Sequence, residues 1–241
     1  MIKAKLRVLI LAAGKGTRLR PITNSIPKCL VSVNGIAMLE RWIQIIEKEN
    51  LDEVIINTHY LAEQVREFIH NKYMDLENKR IKLIHEDELL GTAGSIYLHR
   101  SWFRGFEGLI IHADNYYEGC LDYILEAHRK RPNGCLITMV TFECNDSKAC
   151  GLVDVDENRI VRDFKEKDPD AQGNIANAAI YAFSEEFIDW LDKNGEGLVD
   201  MSTDVIPRLI GRIYTVPTNH RIVDIGTPER LQEVEWTGIQ K

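Results

Sequence analysis

Long apolar runs are missing from this chain of 241 residues. None approaches the roughly 18–20 residues that a bilayer-spanning helix needs. Basic charge is not in excess: 30 Lys and Arg stand against 37 Asp and Glu, a net charge of −7. That balance argues against a general nucleic-acid binder, although a local basic pocket can sit in an acidic surface. Cysteine is sparse and unpatterned. Cys29, Cys120, Cys135, Cys144 and Cys150 form no C-x-x-C pair and are odd in number, so the expectation is a reduced, cytoplasmic protein with no membrane partner. Several lie in apolar surroundings and read as packing residues. The opening Met1–Lys5 has no signal-peptide apolar core. The histidines show no H-E-x-x-H or other metal-ligand spacing, and G-x-S-x-G is absent, which leaves no signature of a zinc protease or a serine hydrolase. Repeats, low-complexity tracts and linkers are also absent, so the chain reads as one domain.

What is present is ordinary globular composition, 44% hydrophobic and 28% charged, around one unusual stretch. Leu6 to Leu11 reads as a buried strand and empties into Ala12-Ala13-Gly14-Lys15-Gly16-Thr17-Arg18-Leu19-Arg20-Pro21, continuing to Pro27-Lys28. Glycines let backbone N–H groups approach an anion, and Lys15, Arg18 and Arg20 neutralise it. The stretch is not a P-loop, whose spacing it does not fit. It is not a dinucleotide fingerprint either, because Leu19 holds the third glycine position. Pro21 and Pro27 argue against a helix directly after it, so an extended loop to Lys28 is expected. The reading is a polyphosphate cradle at the carboxyl end of the first strand.

Beyond the loop, Leu6 to His85 alternates strand and helix: Met38–Glu49 and Ala62–Tyr73 carry apolar residues at helical spacing, and Glu53–Thr58 and Ile81–His85 read as strands. This predicts a parallel sheet with crossover helices, a Rossmann-like three-layer α/β/α architecture. A second small-residue loop, Leu90–Ser95, enters a helix, and Gly108–His112 is a strand ending at Asp114. From Gly151 onward strands follow one another without helices, at 151–156, 159–165 and 178–183, which predicts a small mixed or antiparallel subregion. A strand at Cys29–Val33 and a helix within Val199–Ile210 are also expected. The domain is expected to divide near residue 113, into a half over 1–113 that carries the phosphate cradle and a second half over 114–241.

The pattern Gly14-x-Gly16-Thr17-Arg18-Leu19-x-Pro21-x-Thr23, with Pro27-Lys28 three residues on, resembles that of the sugar-1-phosphate nucleotidylyltransferases of the nucleoside-triphosphate transferase family. Leu90-Gly91-Thr92-Ala93-Gly94, Phe164-Lys165-Glu166-Lys167, Asn177-Ala178-Ala179-Ile180-Tyr181 and Asp224-Ile225-Gly226-Thr227-Pro228-Glu229 match further motifs of that family. This chain departs from the family in carrying Ala113 and Ala179 where glycine is usual.

The resemblance implies transfer of a nucleotidyl group from a nucleoside triphosphate to a sugar 1-phosphate with release of pyrophosphate, in the supply of nucleotide sugars for cell-surface polysaccharide. It implies that Ala12, Ala13, Gly14, Gly16 and Thr17 hold the nucleotide, that Arg18 takes the leaving pyrophosphate and Lys28 the α-phosphate. Gly91, Thr92 and Ala93 would lie on the base, with Glu86 nearby. Asp114 and Asp224 would bind Mg²⁺. Lys167 would take the sugar phosphate, and Asn115, Gly151, Glu166 and Asn177 the sugar. Tyr116 and Tyr117 either stack on the sugar or pack. A sugar phosphate is mostly dianionic at neutral pH and needs no general base, in keeping with the absence of a convincing catalytic histidine. The look is closest to mannose- or heptose-1-phosphate guanylyltransferases using GTP. Uridylyl, thymidylyl or cytidylyl transfer, to another sugar phosphate or to phosphocholine, is the alternative within the fold, and a non-catalytic nucleotide-sugar-binding regulatory subunit is the alternative outside it. A homo-oligomer is compatible with the family.

Overall fold

Val8, Leu9 and Ile10 are consecutive and fully buried. Neighbouring strand residues point to opposite faces, so both faces of this strand are covered, as in the middle layer of an α/β protein. The structure, a computed structural model, describes residues 5–73 and 80–238. Its described residues fall into two compact units, each assembled from separated stretches. One comes from Met1–Leu89, Ile111–Cys120 and His220–Lys241, and the other from Leu90–Ile110 and Leu121–Asn219. Within the first unit the segment after Asp114 is hydrogen-bonded to the segment around Asp224, and the Ala113 N–H donates to the Leu11 carbonyl of the amino-terminal stretch.

In the first unit, β1 (Leu6–Leu11) opens the chain. The hairpin β2 (Ser32–Val33) and β3 (Ile36–Ala37) leads to α1 (Met38–Ile46). Then come β4 (Leu51–Thr58), α2 (Ala62–Lys72) and β5 (Ile81–His85). β4 pairs parallel with both β1 and β5, which is the parallel sheet expected from the alternation. Met38, Leu39, Trp42 and Ile46 form the fully buried face of α1. Trp42 stacks on Tyr117 with ring centroids 5.6 Å apart and donates from Nε1 to the Asn115 carbonyl at 2.9 Å. Both Tyr116 and Tyr117 are buried, so these aromatics pack rather than offer a sugar-stacking face.

β6 (Glu107–His112) runs from the second unit into the first. The second unit also holds α3 (Gly91–His99), α4 (Asp122–Arg129), β8 (Ile137–Glu143), β9 (Gly151–Val155), β10 (Val161–Glu166), β11 (Ile175–Phe183), α5 (Glu185–Asn194) and β12 (Ile213–Pro217). The first unit is completed by β7 (Asn115–Tyr117), β13 (Ile222–Asp224) and α6 (Pro228–Gly238). In the second unit β9 pairs antiparallel with β10 and β11, β8 antiparallel with β11, and β12 parallel with β8. This is the mixed region anticipated after Gly151.

Three local expectations are corrected. The stretch from Gly14 to Lys28 is not extended: it coils through single 3₁₀ turns at Thr17–Leu19, Ile22–Asn24 and Lys28–Leu30. The last of these replaces the strand expected at Cys29, and the strand signal there shrinks to β2, turned by Asn34 and Gly35 at φ 52° and 79°. Val199–Ile210 holds a π-type turn at Met201–Val205 and a 3₁₀ turn at Ile206–Leu209 in place of an α-helix. There Pro207 removes a backbone donor, and the Asp200 carboxylate takes the N–H groups of Ser202 and Thr203.

Candidate active site

The two glycines of the Gly14–Lys28 loop divide their work. Gly16 has φ +61°, and a Cβ there would come within 2.9 Å of Thr23 Cγ2 and 3.1 Å of Lys28 Cβ. Its carbonyl accepts from the Leu19 N–H at 3.0 Å and from the buried Thr23 hydroxyl at 2.7 Å. Gly16 is thus the point where the loop folds back and brings Lys28 in. Gly14 meets nothing within 4 Å of an ideal Cβ, so its backbone stands open. Lys15, Thr17 and Arg18 are exposed, while Ala12 and Ala13 are buried at the loop's root.

The acids are delivered by strand ends. The Ala113 N–H donates to the Leu11 carbonyl at 3.0 Å, which sets Asp114, two residues past the end of β6, beside the end of β1. β7 and β13 then pair antiparallel with Asn115 opposite Asp224, and the Ile225 N–H closes onto the Asp114 carbonyl at 3.2 Å. This ribbon brings two carboxylates from distant parts of the chain onto one cation. The Lys28 ammonium contacts Asp114 directly and lies 3.0 Å from Asp224 Oδ1, and Arg18 Nη2 lies 3.6 Å from Asp224 Oδ2. Gly226 permits the approach, since a Cβ there would stand 2.9 Å from Asp224 Oδ1 and 3.0 Å from Arg18 Nη2.

Charge settles accordingly. Burial pushes the Asp114 carboxyl towards the neutral form, but the Lys28 ammonium and, less strongly, His112 override it and hold its pKa below the usual carboxylate range. Burial of Lys28 works against its charge, and the two carboxylates win, keeping it protonated. Burial above all pushes the neighbouring Cys29 thiol up to about 12, so that cysteine is inert. All five cysteines are free.

Two carboxylates aimed at one cation form an oxygen-only donor pair. That suits Mg²⁺, which takes few protein ligands and completes its octahedron with phosphate oxygens and water. Among the described residues no group of three or more His, Cys, Asp or Glu side chains is placed to hold a metal ion, so the acid pair stands without a third such ligand among them. What this arrangement can do is concentrate positive charge and backbone donors against phosphate oxygens.

Glu86 lies at the end of β5, 4% exposed. Its carboxylate accepts from Asn57 Nδ2 at 2.9 Å. Asn115 is buried in β7.

In the second unit, Gly91 has φ +76° and lies against Val199: a Cβ would stand 2.3 Å from the Val199 carbonyl oxygen. That oxygen accepts from the Ala93 N–H at 2.9 Å. The Thr92 hydroxyl donates to Asp200 at 3.2 Å and accepts from the Met201 N–H at 2.7 Å. The loop expected to read a base is therefore braced by its own unit, and Thr92 and the Ala93 N–H serve that brace. Gly151 is opposite Glu166 in the β9–β10 register, and a Cβ on it would meet Glu166 Oε2 at 2.6 Å. Lys167, with φ 50°, lies 2.8 Å from Glu166 and is exposed. Asn177 donates to the Tyr181 hydroxyl at 2.6 Å and accepts from the Ala179 N–H at 2.9 Å. Ala179 itself has φ 52°, while Ala113 has no such backbone.

Reading the sequence missed Thr23, Asn57, Gly226 and Asp200 as builders of these sites. Thr23 and Gly226 were within the recognised motifs. Asn57 carried a signal too, as an uncharged polar residue at the end of the apolar run Val54–Ile56.

Comparison with known proteins shows the family. The sequence pattern described as nucleotidyl transferase matches residues 7–238. The bifunctional protein GlmU of Methanococcus aeolicus is 31% identical over 91% of this chain and 51% of its own length. The D-glycero-alpha-D-manno-heptose 1-phosphate guanylyltransferase of Campylobacter jejuni is 27% identical over 93% of this chain and 96% of its own. The solved structure of HddC from Yersinia pseudotuberculosis complexed with GMP-PN superposes with a TM-score of 0.78 at 25% identity, covering 96% of this chain and 99% of that one. Against several other curated relatives the chain spans only 61% to 62% of their length.

Proposed function

The chain belongs to the nucleotidyl transferase family, and from that premise we propose that it is a sugar-1-phosphate nucleotidylyltransferase, acting on GTP and a mannose- or heptose-type sugar 1-phosphate. The observation that carries this reading is the convergence of Asp114 and Asp224 on Lys28, with Arg18 beside Asp224, at the mouth of the Gly14–Lys28 loop. The guanine preference is supported by the near full-length match to a heptose 1-phosphate guanylyltransferase and by the similarity to HddC, which was solved with the guanine nucleotide analogue GMP-PN.

In this reading the backbone from Ala12 to Thr17 cradles the triphosphate, and Arg18 neutralises the leaving pyrophosphate. Lys28 leaves its carboxylates for the α-phosphate. Asp114 and Asp224 would hold Mg²⁺, which would neutralise phosphate charge when bound. Glu86, Gly91, Thr92 and Ala93 are assigned to the base. Lys167 is assigned to the acceptor phosphate, and Asn115, Gly151, Glu166 and Asn177 to the sugar. An oxygen of the sugar phosphate attacks the α-phosphorus. That P–O bond forms as the bond from the α-phosphorus to the bridging oxygen breaks, and pyrophosphate leaves with the electron pair. The acceptor is already anionic, so no residue has to remove a proton from it, and positioning with electrostatics supplies the rate.

The test is a matrix of nucleoside triphosphates against sugar 1-phosphates and phosphocholine, with Mg²⁺, read as pyrophosphate release. Release that is strongest with GTP and a mannose- or heptose-type acceptor is the expected result. Release confined to another base or acceptor reassigns the substrates, and nucleotide binding without release under any pairing replaces the enzyme with a binding subunit.

A further inference from the structure

Asn57 is 2% exposed and stands at the carboxyl end of β4, opposite Leu11 of β1 and Ile84 of β5. Its side-chain amide reaches to both sides. Oδ1 accepts from the Ala12 N–H at 2.6 Å, and Nδ2 donates to Glu86 Oε1 at 2.9 Å. Ala12 is the first residue past β1, where the phosphate loop begins, and Glu86 is the first past β5. The Glu86 backbone is held as well, its N–H donating to the Thr58 carbonyl at 2.8 Å and its carbonyl lying 2.8 Å from His59 Nδ1.

The orientation of the amide is forced. The carbonyl oxygen must face a backbone donor, and the NH₂ must face a carboxylate. From this geometry we infer that Asn57 is a positioning residue that fixes the root of the phosphate loop and the Glu86 carboxylate in one register. It acts through the Ala12 amide and Glu86, and no aliphatic residue of its size could hold both. The inference rests on the proposed role of the loop as a triphosphate cradle.

Reversing the polarity of the pair provides the test. Asn57→Asp sets a carboxylate against Glu86 and breaks the link, whereas Asn57→Asp with Glu86→Gln restores it, because the new amide donates to the new carboxylate while Ala12 keeps its acceptor. Asn57→Ser removes both bonds without adding charge and serves if the single aspartate variant does not fold. The probe is inorganic tripolyphosphate with Mg²⁺, measured by calorimetry alongside thermal melting. Asn57→Ser and Asn57→Asp should weaken tripolyphosphate on the order of tenfold, and the double variant should return to within about threefold of the parent. In turnover, the single variants should raise KM for the nucleoside triphosphate and leave KM for the sugar phosphate in place. Folded single variants that bind tripolyphosphate as the parent does, or a folded double variant no better than Asn57→Ser, overturn the inference while the cradle stands. A parent protein that does not bind tripolyphosphate removes the cradle and the inference together.

Discussion

Lys28 is the residue on which the site turns. A cation only 8% exposed is costly to hold unless opposite charge surrounds it, and Asp114 and Asp224 supply that charge. The same ammonium stands where a divalent ion would meet those carboxylates, so protein cation and metal compete for one pair of acids. Two outcomes follow. Removing Lys28 (Lys28→Met) should lower turnover by roughly 10²–10³-fold, the cost of deleting one preorganised stabiliser of developing charge. It should also make the melting temperature of the nucleotide-free protein rise more on adding Mg²⁺ than the parent's does, since the acids then lack their resident cation. Equal Mg²⁺ shifts in both proteins would show that Lys28 does not guard the pair. Asp114→Asn, nearly isosteric, should lose turnover to a similar extent with the fold kept, and an unaffected rate would remove Asp114 from the site.

At the scale of elements, β11 carries a register shift between Asn177 and Tyr181. Ala179 sits within it at φ 52°, where the related motif has glycine. A left-handed backbone costs an L-residue about 1–2 kcal/mol, and glycine's extra unfolded-state freedom returns about 0.4–1 kcal/mol of that. Ala179→Gly should therefore stabilise the protein by about 0.5–1 kcal/mol in denaturant unfolding, and a destabilised variant would contradict the strain. His128 joins three elements of the second unit, its Nδ1 2.9 Å from Thr138 Oγ1 of β8 and its Nε2 2.8 Å from Ser184 Oγ at the start of α5. Burial first, then Arg131 and Arg129, lowers its pKa to about 3. The unfolded chain protonates this group near pH 6.5, and the folded chain does not until about 3. Stability is thus retained above about pH 6.5 and falls as pH drops below it, by about 1.4 kcal/mol per unit from this group. His128→Asn should be less stable at pH 7 yet lose part of that slope between about pH 6 and 4, and an unchanged slope would remove His128 as its source.

These elements also mark how far the sequence could be read. The parallel β1–β4–β5 core followed from apolar runs alternating with helical spacing, because local periodicity carries that information. Gly14–Lys28 stood out as a candidate anion site through residue type alone. Its coiled path did not show: it depends on the Thr23 hydroxyl turning back to Gly16, a contact within the loop that periodicity does not encode. The pairing of β7 with β13 was equally silent, since three-residue strands carry almost no pattern, yet it is what joins Asp114 to Asp224.

For the molecule as a whole, each of the two units carries a motif set held by its own contacts. The first has the loop, both acids, Asn57 and Glu86. The second has the braced Gly91–Ala93 turn and the Gly151, Glu166, Lys167 and Asn177 group. No described helix is long and apolar enough to cross a membrane. The central claim is that the first unit's cations and acids direct attack onto the α-phosphorus. The direct test is to supply GTP labelled at the α-phosphate, Mg²⁺ and the accepted sugar 1-phosphate, and to follow the label. The account predicts that it passes into a nucleotide sugar in equal amount with unlabelled pyrophosphate, only when the acceptor is present, and that Asp114→Asn stops both. Orthophosphate from the γ position, or label left in GMP or GDP whether or not the acceptor is added, would contradict it.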